Sequence, residues 1–421
     1  MQVHKFPQKM IRHHAFFQAL GSLDEGDVAW QPTLAGLAVL RLLDFIAEGP
    51  RLDARDDWTV HRAARDAVSA VVEGNPARAI LARILDLLER VSGISEDMGR
   101  ELLAFGRSLD LEARWDLATD VFQTIVRQFS SREYPHLVIE SCTALGAVAR
   151  HAPDWNTSSR AFAQAQHLAD AIGDEAASLV VEVGIANSNR IRGNLPAAEV
   201  ELEKIVTAAR ARGFGQVEAL ALHSQATLAH YKGNYQQAVH LAYRSLEMTM
   251  HGTARERILA DIAAAYAGLG MRETARDGYL IVAVTSPHQW VRWQATLNLM
   301  ELAVDSGDES QFDSYVSQMK ATPLDARLRS YFLFYLALGS RRFGREGSDD
   351  QFRAAELFAS QHELHQIAFE IEAALEKTPL ETERAEANAE PTFENDGGED
   401  YSEELARIAE VLSHLRERAT A

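Results

Sequence analysis

Apolar residues recur along most of this chain at three- and four-residue intervals, the spacing of amphipathic helices. The pattern comes in pairs of such stretches, each pair joined by a short turn. The clearest pair has these small, aliphatic or aromatic positions: Leu222, Ala226, Ala229, Gly233, Tyr235, Ala238, Ala242 and Leu246. Because each pair has an apolar face that it cannot bury alone, neighbouring pairs are expected to stack on one another.

The turns inside successive pairs recur at regular intervals. They fall at Ala113, Pro153, Gly193, Gly233, Gly270 and Gly307. The interval is 40 residues up to Gly233 and 37 residues after it. A period in this range is typical of arrays of helix pairs. The pattern therefore predicts a repeat array over residues 99–376.

The turn at 233–238, with Ala226 before it, resembles the turn of a tetratricopeptide repeat, and residues 266–287 resemble another. The resemblance extends over residues 99–323. The intervals exceed the roughly 34 residues of that family's repeat, and the turn at 153–155 contains no glycine. The resemblance implies an all-α, right-handed α-solenoid in which the first helices of successive pairs line a concave groove.

Residues 1–98 are also helical by pattern, but they lack the repeat signature. Their apolar faces lie within 34–46, 60–72 and 80–91. The region is either a set of diverged helix pairs or a separate N-terminal helical bundle, and we favour one continuous body with the repeats.

Beyond Gly307 the pattern predicts helices near 328–343, 350–362 and 365–376. The first of these is aromatic, with Tyr331, Phe332, Phe334 and Tyr335. Aromatic residues at helical spacing are usually packed. We therefore expect a thick core contact at the end of the array, with a partner-binding surface as the alternative.

The composition changes abruptly after residue 376. Residues 377–404 contain ten acidic and two basic residues, which predicts an acidic flexible linker over 377–401. An amphipathic helix follows over 402–421, with Leu405, Ile408, Leu412 and Leu415 on one face. This helix could cap the protein, occupy the groove together with the linker, or form a homodimer, so the oligomeric state stays open.

The formal net charge of the 421-residue chain is −19, which argues against general binding to nucleic acid or anionic membranes. No stretch reaches the roughly 18 apolar residues of a membrane span. The first twenty residues lack the features of a secretory signal. The single cysteine, Cys142, excludes an internal disulfide. The cytoplasm is the expected location.

No motif in the sequence predicts catalysis, a metal site or a cofactor. The glycines lack the strand-to-helix context of a phosphate-binding loop. His362 and His365 are three residues apart instead of the four of a zinc-protease motif. His13 and His14 are adjacent, so on a helix they would point in different directions, and we expect ordinary surface residues there. Cys142 is expected to be a small buried residue. We therefore predict a protein that is not an enzyme.

The resemblance allows the groove to be placed on particular residues of the first helices. The predicted partner-binding residues are Arg107, Arg150, Asn187, Arg190, His223, Thr227, His230 and Tyr231. Arginine forks bind carboxylates in a bidentate manner, and asparagine can pair with a peptide backbone. This lining suggests an acidic segment or a C-terminal peptide as ligand. The alternative is that the arginines pair with neighbouring acids such as Glu140, Glu182 or Glu218.

These features predict a non-enzymatic scaffold or adaptor that binds a segment of a partner protein in the groove. The alternative is a peptide- or ligand-responsive regulator of an effector protein, self-occluded by its acidic C-terminal tail.

Overall fold

The computed structural model describes residues 12–48, 54–90, 94–249, 252–362, 364–376 and 401–420. Within these ranges the chain forms twenty α-helices and no strand. The prediction of an all-α fold built from stacked helix pairs is confirmed. The chain divides into two compact units, Met1–Ser188 and Asn189–Ala421, called unit 1 and unit 2 below. The predicted linker at 377–400 lies outside the described residues.

Unit 1 is built from consecutive helices that pack on their neighbours along the chain. Its described helices are α1 (His14–Ser22), α2 (Trp30–Glu48), α3 (Ala54–Ala70), α4 (Pro76–Arg90), α5 (Glu96–Leu111), α6 (Trp115–Gln128), α7 (Pro135–His151), α8 (Trp155–Ile172) and the greater part of α9 (Glu175–Ile191). One hydrophobic core extends from Phe16 to Val181. The helices of the predicted N-terminal region thus share a core with the first helix pairs, and the domain boundary at residue 98 stays a prediction.

The structure agrees with the prediction for Cys142 and contradicts the prediction for His13. Cys142 is fully buried as predicted, and burial raises the pKa of its thiol to about 12. The prediction that His13 is an ordinary surface residue is wrong, because only 4% of it is exposed. It precedes α1 with a positive φ of 61°, and this left-handed conformation, instead of a helical one, directs the ring inward. His14 is exposed.

Unit 2 continues the stacking of helix pairs. Its helices after α9 are α10 (Leu195–Arg212), α11 (Gly215–Tyr231), α12 (Tyr235–Met248), α13 (Thr253–Gly268), α14 (Arg272–Thr285), α15 (Gln289–Ser306), α16 (Glu309–Lys320), α17 (Ala326–Arg342), α18 (Ser348–Gln361), α19 (His365–Glu376) and α20 (Ser402–Thr420). In the pairs α11/α12 and α13/α14, the first helix is the odd-numbered one, and each pair packs against the next. The three helices predicted beyond Gly307 are present within two residues of their expected ends.

The turn between α11 and α12 explains the glycine at the repeat position. Gly233 has φ of 80°, a left-handed conformation that glycine adopts without the steric cost of a Cβ. The amide of Asn234 donates to the carbonyl of Ala229 at 2.9 Å, which satisfies a carbonyl at the end of α11. The sequence pattern thus located the turn, and the structure shows why a glycine suits it.

The aromatic helix α17 forms the thick core contact that was predicted. Phe332, Phe334 and Tyr335 are buried in one cluster with Phe312 of α16. Gly339 faces the Phe312 ring so closely that a Cβ there would clash with it. The large residue at 312, where the repeat pattern expects a small one, is therefore accommodated by a glycine on the facing helix.

Candidate functional site

The predicted groove residues of unit 1 are engaged with their own unit. Arg107 donates to Glu140 at 3.0 Å, and Arg100 also donates to Glu140. Arg150 donates to the carbonyl oxygen of Gly184 at 3.1 Å. Asn187 lies half-buried on α9. The alternative interpretation, pairing with neighbouring acids, therefore describes Arg107 and Arg100, and it removes much of the positive potential that the sequence assigned to this part of the groove.

The predicted residues of unit 2 form a tighter group around an acid that the sequence analysis missed. His223 on α11 contacts Asp261 on α13, with 2.7 Å between Nε2 and Oδ2. Arg190, at the end of α9, lies close enough to Asp261 and Tyr231 to interact electrostatically with both. We call Arg190, His223, Tyr231 and Asp261 the Arg190 cluster.

The Arg190 cluster is partly desolvated yet reachable from solvent. Burial lowers the pKa of the Arg190 guanidinium, and the Asp261 carboxylate opposes that shift. The side chain of Asp261 is 47% exposed and Tyr231 is 66% exposed. A charge in such a setting is weakly screened, so it interacts more strongly with an incoming group than a charge on an open surface does.

Two other predicted groove residues, Thr227 and His230, contact residues that are close to them in the sequence. The hydroxyl of Thr227 donates to the carbonyl oxygen of His223 at 3.0 Å, within α11. The ring of His230 packs edge-on against Tyr235, with 5.2 Å between ring centroids. Both side chains support the shape of the first-helix surface next to the Arg190 cluster.

Asp261 escaped the sequence analysis because of a shift of one residue in the repeat. A step of 37 residues from His223 leads to Ala260, whereas the side chain that meets His223 is Asp261. The usable signal was an acid next to Ala260, on the first helix of the pair that follows the pair carrying His223.

Farther along unit 2, helix α15 carries two acidic residues one helical turn apart, Glu301 and Asp305. Glu301 has an exposed surface, but the neighbouring helices partly desolvate its carboxyl and raise its pKa above the ordinary value, and Asp305 adds to the shift. The hydroxyl of Tyr335 donates to Glu301. The rings of Tyr331 and Tyr335 stack with centroids 6.1 Å apart. The predicted groove residues end at Tyr231, so these acidic and aromatic side chains lie beyond them.

A second surface of unit 2 holds the C-terminal helix. Helix α20 packs against α12 and α14, the second helices of two successive pairs. Leu405, Ile408 and Leu412 are buried there in one cluster with Tyr266. Burying an aliphatic side chain of this size contributes roughly 1.5–3 kcal/mol. The predicted amphipathic helix is thus docked within its own chain, on the second helices, whereas the Arg190 cluster lies on first helices.

Polar contacts fix both ends of α20. At its start, His240 Nδ1 donates to Glu404 at 2.6 Å, and the Tyr401 ring stacks on His240 with centroids 4.6 Å apart. At its end, Arg416 pairs with Asp277 at 3.1 Å. We call the α12 and α14 side of this contact, together with Tyr266, the α20 dock.

No described helix is both long and apolar enough to cross a membrane. Among the described residues, no group of three or more His, Cys, Asp or Glu side chains is arranged to hold a metal ion.

No protein-family model matches this chain, and no curated protein matches it. Solved structures similar to it include the following three. NprR in complex with its cognate peptide NprX is 15% identical, covers 76% of this chain and 97% of its own, and has a TM-score of 0.46. Rap protein complexed with Competence and Sporulation Factor is 13% identical, covers 84% and 98%, and has a TM-score of 0.43. A signal transduction ATPase with a tetratricopeptide repeat sensor from Pyrococcus horikoshii is 11% identical, covers 88% and 68%, and has a TM-score of 0.44.

Proposed function

We propose that this chain is a non-enzymatic protein that binds a peptide segment of a partner along the first helices of unit 2. The observation that carries the proposal is the Arg190 cluster, in which a desolvated guanidinium, a histidine, a half-exposed carboxylate and an exposed aromatic ring meet on α9, α11 and α13. Such a mixture can bind a peptide without a reactive centre.

Each member of the cluster has a chemical role in this proposal. The Arg190 fork binds a carboxylate of the peptide, in competition with Asp261. Asp261 accepts from a backbone amide of the same peptide. The exposed Tyr231 ring packs against an apolar side chain, which adds contact area at low entropic cost. A peptide with a free C-terminal or side-chain carboxylate next to an apolar residue fits this surface.

The test uses an array of peptides with free C-terminal carboxylates, alongside the same peptides amidated at the C-terminus. The full-length wild type is expected to retain a subset that Arg190→Ala loses by at least about tenfold, a change of about 1.4 kcal/mol. Arg107→Ala is the matched control, because Arg107 lies in unit 1, outside the Arg190 cluster. Equal binding by the wild type and Arg190→Ala would show that the cluster does not recognise peptides.

The docked α20 favours the regulator over the passive adaptor as a finer form of this proposal. Tyr266 on first helix α13 donates to the main chain of α20, so one buried side chain links the peptide-bearing helices to the C-terminal helix. A regulator should change shape when a peptide binds. Small-angle scattering with and without a peptide selected from the array tests this, since an adaptor leaves the scattering profile unchanged.

A further inference from the structure

Helix α20 packs against helices that are distant from it in the sequence. Five helices, α15 to α19, and residues 377–400 separate it from α14 in the sequence. Its Glu404 nevertheless meets His240, 164 residues earlier. The end of the helix array at α17–α19 has its own aromatic core, so α20 does not act as a cap for that end. Its contact is lateral, on the second helices of two earlier pairs.

The contacts of α20 are arranged like those of a helical ligand bound in a groove. An acid at the start meets a histidine, three aliphatic side chains fill the middle, and a base at the end meets Asp277. The opposite face of α20 stays in water, with the side chains of Arg407 and His414 69% and 79% exposed. Helix-in-groove recognition uses this arrangement of anchors at three- and four-residue intervals.

Tyr266 shows that the dock recognises a helix backbone. Its side chain is fully buried, and its hydroxyl donates to the main-chain carbonyl oxygen of Leu405 at 2.8 Å. A buried hydroxyl without an acceptor is costly, so the dock requires a hydrogen-bond acceptor at this place, which the main chain of α20 supplies. Because the acceptor is a backbone atom, a helix supplied by another molecule satisfies Tyr266 equally well.

We propose that the α20 dock is a separable helix-binding site, and that a second copy of this chain supplies its α20 to the dock by exchange. Exchange remakes every contact of the closed monomer, which makes it an inexpensive route to a dimer. The 24 residues from 377 to 400 reach at most about 80 Å when fully extended, enough to carry a helix to a neighbouring molecule. The charge order along the helix fixes its direction in the dock.

Two complementary full-length variants test the exchange. The first, Ile408→Asp with Leu412→Asp, disables the helix and leaves the dock intact. The second, His240→Glu with Asp277→Arg, repels Glu404 and Arg416 and leaves the helix intact. Each variant alone is expected to have the mass of one chain by light scattering after gel filtration. Their equimolar mixture is expected to give the mass of two chains, because the helix of the second fits the dock of the first.

A mixture that keeps the mass of one chain, while both variants retain the wild-type circular dichroism and cooperative unfolding, overturns the proposal. If a variant does not fold, a competition experiment on the wild-type chain tests the proposal. Excess synthetic peptide of residues 401–420 is expected to speed hydrogen exchange in α20 of isotope-labelled full-length chain. The same peptide with Leu412→Asp is the control. Protection of α20 that neither peptide changes shows that the helix is an integral part of the core and also overturns the proposal.

Discussion

Unit 1 and unit 2 each bring a histidine against a carboxylate on another helix, but the carboxylate is half-exposed only in unit 2. In unit 1, His13 Nδ1 donates to Asp120 at 2.8 Å and Nε2 donates to Asp44 at 3.2 Å. Arg127 and Gln128 also donate to Asp44. We call these five residues the His13 cluster. Since both ring nitrogens donate to carboxylates, His13 is held as the cation.

The comparison with the Arg190 cluster separates stabilisation from recognition. Only 1% of the His13 side chain is exposed, so its hydrogen bonds are closed to any ligand and tie α2 and α6 together. In the Arg190 cluster, Asp261 is half-exposed and Tyr231 lies largely in water. Similar ionic chemistry therefore stabilises the fold where it is enclosed, and we propose that it binds a partner where one side is open.

The largest expected effect comes from breaking the enclosed cluster. His13→Ala leaves two carboxylates facing a cavity, and loss of one partner from a buried ionic group typically costs about 3 kcal/mol or more. We expect that loss in the free energy of unfolding of unit 1, measured by urea titration with pulsed hydrogen exchange in α1, α2 and α6. Arg107→Ala, which removes an exposed pair, should cost at most about 0.5 kcal/mol. Similar losses for the two variants would remove the distinction.

The pH dependence of unit 1 sharpens the same contrast. Burial lowers the pKa of His13, but the hydrogen bonds to Asp120 and Asp44 outweigh it and leave the pKa above 6.5. The pKa of Asp44 is shifted downward, because the contacts with His13 and Arg127 outweigh its burial. The stabilisation by His13 is thus complete below pH 6.5 and is lost as the pH rises through the raised pKa. Urea midpoints should fall over that range in the wild type and change less in His13→Ala.

A smaller effect is expected from changing the shape of the cation and keeping its charge. Arg190→Lys removes the planar donor fork, so binding of a carboxylate peptide selected by the wild type should weaken by about threefold to tenfold. Arg107→Lys should leave that affinity unchanged, since Arg107 already contacts Glu140. Isothermal titration calorimetry with the free and the amidated peptide measures the affinity of both variants. A loss that is equal for the two peptides would assign the effect to folding instead of carboxylate recognition.

The smallest effect concerns Glu301, an acid whose ionised form the surrounding helices disfavour. Its raised pKa of about 7 means that the folded state binds a proton more tightly than the unfolded state. Stability should therefore increase as the pH falls from 8 through 7. Glu301→Gln should raise the thermal midpoint slightly at pH 8 and leave it unchanged near pH 5. A stabilisation that is the same at both pH values would point to packing instead of charge.

Much of the fold was accessible from sequence because its determinants are local. Apolar spacing identified the helices, and Gly233 with its neighbours identified a turn that requires a positive φ. The site was less accessible. Four of its predicted members, His223, Arg190, Thr227 and Tyr231, lie on or beside the proposed surface, but Asp261 was missed because a helix can shift by one residue without changing the repeat pattern. The pairing of Arg107 with Glu140 depends on how neighbouring helices pack, which the spacing of residues does not indicate.

The sequence by itself determined that the chain would form stacked helix pairs, since a periodic apolar face can be buried only against a neighbour. It also determined that residues 402–420 would need an apolar partner. Only the tertiary structure decided which partner that is, because Tyr266, His240 and Asp277 meet α20 across more than a hundred residues of chain. The inward turn of His13 and the closeness of Gly339 to Phe312 were decided in the same way. These contacts depend on the positions of packed helices, which no local pattern specifies.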